Sequence, residues 1–200
     1  MVAGPNGSGK TTLTRMLVKH GIELGEYINP DDIARDLSGS DIERAARAQV
    51  IADRHRAACI AEKRSFSFET VMSHPSKIEI LHQAKDAGFF VHLFFVGIDD
   101  PRTNVERVAL RVAQGGHDVP TARIAPRWFR SMGLLYDAIR ASDDAYLFDN
   151  SATGPTAVGP RLVFFWTYAE ELSMATYQEF PPIPDWVERY VLKPYFRNRT

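Results

Sequence analysis

Cysteine is almost absent. Cys59 is the only one in 200 residues, which excludes an internal disulfide and fits a reducing cytosol. A dominant charge is missing too: 24 basic side chains stand against 25 acidic ones, a formal net charge of −1. Nothing in the bulk charge therefore draws the chain to nucleic acid or to an acidic membrane. No apolar run is long enough to span a bilayer, and no secretory signal is recognisable. Internal repeats and low-complexity tracts are missing. The six histidines show no spacing with cysteines or carboxylates that suits a zinc ion. What remains is the make-up of a globular protein, 44% hydrophobic and 24% charged. It is enough for one domain over 1–200, with 167–200 read as a C-terminal extension.

Against that background one stretch organises the rest. Gly4-Pro5-Asn6-Gly7-Ser8-Gly9-Lys10-Thr11 fits G-x-x-x-x-G-K-[ST] without a gap. Glycines allow backbone N–H groups to turn inward around a polyphosphate. The positive end of a helix starting near Lys10 faces the same anion. Lys10 then reaches the β- and γ-phosphates, the Thr11 hydroxyl is placed to ligate Mg²⁺, and the cradle runs on to Thr12. The duller alternative is a glycine-rich turn that merely caps a helix. The alternation of elements downstream favours a nucleoside triphosphate site.

That alternation reads as follows. Only Met1-Val2-Ala3 precede Gly4, short for a central strand of about 5–6 residues. The expectation is that upstream residues complete it; adding upstream codons should raise the melting temperature, and an unchanged or lower value would sink the idea. Thr11 to His20 is a helix with Leu13, Met16 and Leu17 on one face, stopped by Gly21. Glu26-Tyr27-Ile28 is a strand running into Asn29-Pro30-Asp31-Asp32. Ser40 and Glu43 form a capping box for a helix from about Asp41 to Lys63, whose charges, Arg56 among them, read as a solvated face. Ser65 to Thr70 alternates like a strand. Pro75 suits the first residue of a helix running to Ala87. Phe89 to Val96 is the apolar run of a strand covered on both faces. A helix follows from Asp100-Pro101 to about Gln114. The next, about Thr121 to Ala141, should be kinked or split by Pro126. Ala145 to Phe148 is a strand ending in Asp149-Asn150. Leu162 to Trp166 suits an edge strand, and a terminal helix lies near Trp186–Leu192. Strands alternating with helices predict an α/β fold of the P-loop NTPase or kinase type: three layers, with a central, mostly parallel sheet and helices on both faces.

Phosphoryl transfer needs a nucleotide cradle, a metal, cations for the equatorial oxygens and a group that orients the nucleophile. Arg111 precedes Gly115-Gly116 and Arg127 follows it, so residues 111–130 can form a lid that closes over nucleotide. Asp31 and Asp32 are adjacent and cannot both face one point. One can serve as the base that takes a hydroxyl proton while the other caps the helix that follows. Glu69, with Thr70 beside it at a strand end, is a candidate for substrate or the metal's shell, against the alternative of a surface carboxylate. His117 can contact ligand, although a lone loop histidine more often serves local hydrogen bonding.

Assembled, these residues resemble the zeta-toxin family of P-loop kinases over about Val2 to Ser151. The likeness rests on Ala3 to Thr12, Ile28-Asn29-Pro30-Asp31-Asp32 and Phe68-Glu69-Thr70, then Ala87-Gly88-Phe89. It continues through Arg111-Val112, Gly115-Gly116-His117-Asp118-Val119-Pro120, Arg127-Trp128 and Asp149-Asn150-Ser151. The resemblance implies an ATP- and Mg²⁺-dependent kinase acting on the sugar 3′-hydroxyl of UDP-N-acetylglucosamine. It implies Asp31 as base, Lys10 and Thr11 as phosphate and Mg²⁺ residues, and Arg111 and Arg127 as a clamp on the transferring phosphate. It also implies Glu69 and Thr70 as part of the substrate-binding segment. A toxin role would bring a neutralising antitoxin partner. Read from the residues alone, a kinase of another metabolite or nucleotide hydroxyl, or a nucleotide-dependent binding module without transfer, stays open.

Overall fold

The computed structural model describes residues 1–200 apart from 117, 153, 155–157, 170–173 and 198–200. Strand β1 (Val2–Ala3) leads into the glycine-rich loop and helix α1 (Lys10–Lys19). Then follow β2 (Glu26–Ile28), α2 (Pro30–Arg35), α3 (Asp41–Ala61), β3 (Phe66–Thr70) and α4 (Ser76–Asp86). After these come β4 (His92–Gly97), α5 (Pro101–Ala113), α6 (Thr121–Gly133), α7 (Leu135–Arg140) and β5 (Asp144–Asp149). The chain ends with β6 (Arg161–Ala169), β7 (Met174–Glu179) and a helical segment: α8 (Asp185–Val187), a π turn over Glu188–Leu192, and α9 (Lys193–Arg197).

The strands form one seven-stranded sheet in the order β2-β3-β1-β4-β5-β6-β7. Pairing is parallel from β2 through β5, and β6 and β7 add on antiparallel. The apolar run of β4 is read out on both faces, as a strand covered on two sides requires. Leu93 and Phe95 join a core cluster with Phe68, Leu147, Trp128 and Ile139. Val96 belongs to a second cluster, with Val2 and the α1 residues Leu13 and Leu17. Because β1 sits between β3 and β4, the loop after it leaves the carboxyl edge at the sheet's centre. That is where open α/β sheets bind ligands.

Local chemistry sets the element ends. Ser40 and Glu43 close both halves of the predicted capping box at α3. Several expectations need correcting. Pro75 is the residue before α4, not its first. Pro126 lies inside a continuous α6, and the break falls instead at Leu134, between α6 and α7. Pro126, the sixth residue of α6, has no backbone N–H to give to the helix, yet the helix runs on through it to Gly133. β6 is not an edge strand; it pairs with β5 and with β7, which the alternation did not reveal. Arg56 is no solvated charge either: it is 3% exposed, with its guanidinium 5.0 Å from the centre of the Phe68 ring, a cation–π contact. His117 lies outside the described residues.

The carboxyl-terminal segment is packed into the fold. Trp186, Val187, Val191 and Tyr195 are buried in the main core. Trp186 packs on Gly97, its indole N–H donates to Asp149 Oδ1 at 3.0 Å, and its backbone N–H donates to Asp99 Oδ1 at 3.2 Å. It closes the carboxyl ends of β4 and β5. At the opposite, amino edge, β1 is only two residues long. There an apolar cavity of about 580 Å³ opens between β3 and β4, lined by Leu17, Phe66, Phe68, Leu81, Phe89 and Phe94 among others.

Candidate nucleotide and phosphoryl-transfer site

The loop Gly4–Gly9 is shaped by conformations that side chains resist. Gly7 (φ 73°) and Gly9 (φ 101°) lie in the left-handed region. A Cβ on Gly7 would sit 2.8 Å from the Asn104 carbonyl oxygen, and one on Gly9 would sit 2.5 Å from Asn150 Nδ2. Glycine is therefore required twice, by backbone and by neighbours. Gly9 precedes α1 with no side-chain cap, which leaves the first N–H groups of the helix free for an anion. Asn6 Oδ1 and Ser8 Oγ are buried without a hydrogen-bond partner. A turn of free N–H groups with the spare Ser8 hydroxyl beside it offers donors to a polyphosphate, whereas the Asn6 amide oxygen can only accept.

Lys10 bridges the loop, its Nζ donating to the carbonyl oxygens of Gly4 at 2.9 Å and Pro5 at 3.1 Å. Burial lowers its pKa to about 8; the charges of Glu69 and Asp31 oppose that, and Arg111 adds to it. Four charged side chains from α1, β3, α2 and α5 thus share one field. Thr11 and Thr12 lie exposed at the start of α1. No group of three or more His, Cys, Asp or Glu able to hold a metal exists among the described residues. The donor set here, one threonine hydroxyl beside a phosphate cradle, fits Mg²⁺ that arrives with nucleotide, since that ion keeps waters and phosphate oxygens as its main ligands.

The carboxylates divide by role. Asn29, not an aspartate, caps α2: its side chain accepts from the Asp31 N–H at 3.0 Å. Asp32 is held in an ion pair with Arg35. The Asp31 carboxylate has no hydrogen bond or ion pair to a described residue, is exposed, and faces the field of Lys10. Glu69 is 8% exposed, so it is not the surface carboxylate of the alternative reading. Its Oε1 accepts from Thr14 Oγ1 at 2.8 Å and from the Tyr27 hydroxyl at 2.6 Å. Burial, and then the bond to Glu69, raise the Tyr27 pKa. Thr70 is engaged locally: its hydroxyl accepts from the Met72 N–H at 3.0 Å and its carbonyl from the Gly4 N–H at 3.3 Å.

Of the two arginines, Arg111 lies in the last turn of α5, within the field of Lys10. Arg127 is on α6, half-buried, with no carboxylate partner among the described residues. Burial lowers its pKa, and the neighbouring Arg123 and Arg130 charges lower it further. The next residue, Trp128, donates its indole N–H to the Ile98 carbonyl at 3.0 Å, anchoring α6 beyond the end of β4. An unpaired guanidinium among like charges is a seat for an anion. Among the described residues no hydrogen bond or ion pair joins Arg127 to Lys10, Asp31 or Glu69. The residues that hold the loop from outside are Asn104, Arg107 and Asn150. Asn150 was legible only as part of a motif, and the two α5 residues looked like any polar helix positions.

A phosphate loop at the centre of a mostly parallel sheet, with helices packed on it, defines a P-loop nucleotide-binding fold of the NTPase and kinase type. The chain belongs to the AAA domain family (AAA_33), whose model matches residues 1–127. It is similar to an uncharacterised protein of Haemophilus influenzae, 34% identical over an alignment of 119 residues that covers 57% of this chain and 80% of that protein. Among solved structures, a chain of the AvrRxo1-ORF1:-ORF2 complex with ATP superposes with a TM-score of 0.65 at 17% identity. The match covers 82% of this chain and 56% of that one, so this chain spans little more than half of its length. A chain of the PezAT chromosomal toxin–antitoxin system of Streptococcus pneumoniae gives 0.51 at 13% identity, covering 78% and 74%. At such identities the structural likenesses speak for the fold alone.

Proposed function

We propose that this protein is an ATP-dependent phosphotransferase that moves the γ-phosphoryl of ATP onto a hydroxyl of a small molecule. The acceptor favoured by the zeta-toxin-like motifs is the sugar 3′-hydroxyl of UDP-N-acetylglucosamine. One observation carries the reading: Asp31, on a different element from the phosphate loop, has an unpaired carboxylate within the field of Lys10. A module that only binds nucleotide needs no such group. Asp31 takes the proton of the acceptor hydroxyl as its oxygen bonds to the γ-phosphorus. The bond from that phosphorus to the bridging oxygen breaks, and ADP leaves with the electron pair. Lys10 neutralises charge on the phosphates, and Arg111 and Arg127 stabilise the equatorial oxygens, with residues 111–130 closing as a lid. Mg²⁺, when bound at Thr11, supplies further charge neutralisation. Glu69 and Thr70 border the acceptor side.

Incubation with ATP, Mg²⁺ and a panel of UDP-sugars, followed by mass spectrometry, tests this. A phosphorylated UDP-N-acetylglucosamine is the expected product. ADP with no phosphorylated sugar overturns the acceptor, and no ADP at all overturns the transfer. The AvrRxo1-ORF1:-ORF2 structure holds two proteins together, and PezAT is a toxin–antitoxin system. We extend this to a protein partner of the antitoxin kind, which should co-purify and block ATP binding.

A further inference from the structure

The phosphate loop is gripped from outside by two amides. On α5, Asn104 is fully buried, and its Nδ2 donates to the Asn6 carbonyl oxygen at 2.6 Å. Beyond β5, Asn150 donates from Nδ2 to the Ser8 carbonyl oxygen at 2.8 Å. Arg107, one turn along α5 from Asn104, holds Asn150 in place: its guanidinium donates to the carbonyl oxygens of Asn150 at 2.9 Å and Ala152 at 2.8 Å. The Asn150 N–H is tied in turn to the Gly97 carbonyl at 3.0 Å.

A trans peptide is planar, and its C=O and N–H point in opposite directions. Fixing the Asn6 carbonyl towards Asn104 therefore aims the Gly7 N–H the other way. Fixing the Ser8 carbonyl towards Asn150 does the same for the Gly9 N–H. Neither N–H has a hydrogen-bond acceptor among the described residues. An uncommitted glycine turn has many peptide orientations, and a ligand that must select one loses affinity in doing so.

We propose that Asn104 and Asn150, with Arg107 bracing the second, are positioning residues that set the Gly7 and Gly9 N–H groups towards phosphate before nucleotide arrives. This rests on the reading of Gly4–Thr12 as a nucleotide seat. The two amides act on different peptides of one loop, so removing both costs more than removing either. They act on the phosphates, so inorganic tripolyphosphate feels them as much as ATP does.

The test measures calorimetric affinity of the intact protein for ATP and for tripolyphosphate, alongside melting temperatures. Asn150→Ala and Asn104→Ala should each weaken both ligands about tenfold, the size of one lost charge-assisted hydrogen bond, and the double variant more than either. Asn150 is only half-buried, so its variant decides the matter should Asn104→Ala fail to fold. A merely structural role would lower the melting temperature and leave the affinities of the folded protein alone. Affinities within twofold of the wild type overturn the proposal, and so does a loss confined to ATP. A wild type that binds neither ligand overturns the seat itself, a different failure.

Discussion

The two edges of the sheet are built from the same strands and differ in almost every other respect. At the carboxyl edge, β1 ends in a glycine loop held by amides, and charged side chains from α1, α2, β3 and α5 meet in one field. At the amino edge, the same strand starts beside an apolar cavity of about 580 Å³. Its phenylalanine walls stack on one another: Phe66 and Phe89 meet edge to face with ring centres 5.9 Å apart. A cavity is a packing deficit unless it holds a polar group or a ligand of suited chemistry. Free N–H groups and unpaired charges mark the carboxyl edge, and they follow from the direction in which parallel strands and helix starts point.

If the edges are as separate as this, changes at one should leave the other's readout untouched. The largest effect belongs to Lys10→Ala, which should lower turnover on the order of a thousandfold and weaken ATP binding, seen in steady-state kinetics and calorimetry. Next comes Asp31→Asn, with ATP affinity kept and transfer down on the order of a hundredfold or more. Asp32→Asn, which breaks only the pair with Arg35, should change transfer little; the opposite ranking would make Asp32 the base. Smaller is a pH effect. Lys10 loses its proton near pH 8 in the free protein, and a bound polyphosphate favours the charged form. Binding therefore takes up a proton above that pH, and ATP affinity in metal-free buffer should fall by up to about tenfold per pH unit above it. A titration flat from pH 7 to 10 would show that Lys10 is not the group that meets phosphate. Smallest for function is Phe66→Ala at the amino edge. It should cost about 2 kcal/mol, read as a melting temperature lower by about 4–8 °C, with the ATP dissociation constant unchanged. A matching loss of ATP affinity would join the two edges.

Much of the carboxyl edge was legible from spacing. The phosphate motif, the capping box at Ser40 and Glu43, and the apolar run of β4 are local signals; the first two were found where local chemistry put them, and the run expected over Phe89 to Val96 is strand over His92–Gly97. From the residues alone Asp31 could not be told from Asp32, and only the resemblance pointed to Asp31, because what separates them physically is an ion pair to Arg35 and a field from Lys10. Asn104 and Arg107 were missed for a related reason. Their partners are the carbonyls of residues far along the chain, and a carbonyl carries no sequence signature. β7 was hidden because its pairing with β6 comes after a change from parallel to antiparallel order, for which no residue pattern speaks.

By itself, then, the sequence determined that a polyphosphate seat lies between a strand and a helix, because glycine spacing and a following lysine are needed in consecutive order. It determined the α/β class through the periods of its apolar residues. Only the tertiary structure decided which carboxylate is unpaired, that Glu69 is buried, and that the closing segment at Trp186 belongs to the core. Hydrogen bonds and charge pairs depend on separations of a few ångströms between distant residues. Those separations exist only once the sheet order has been chosen.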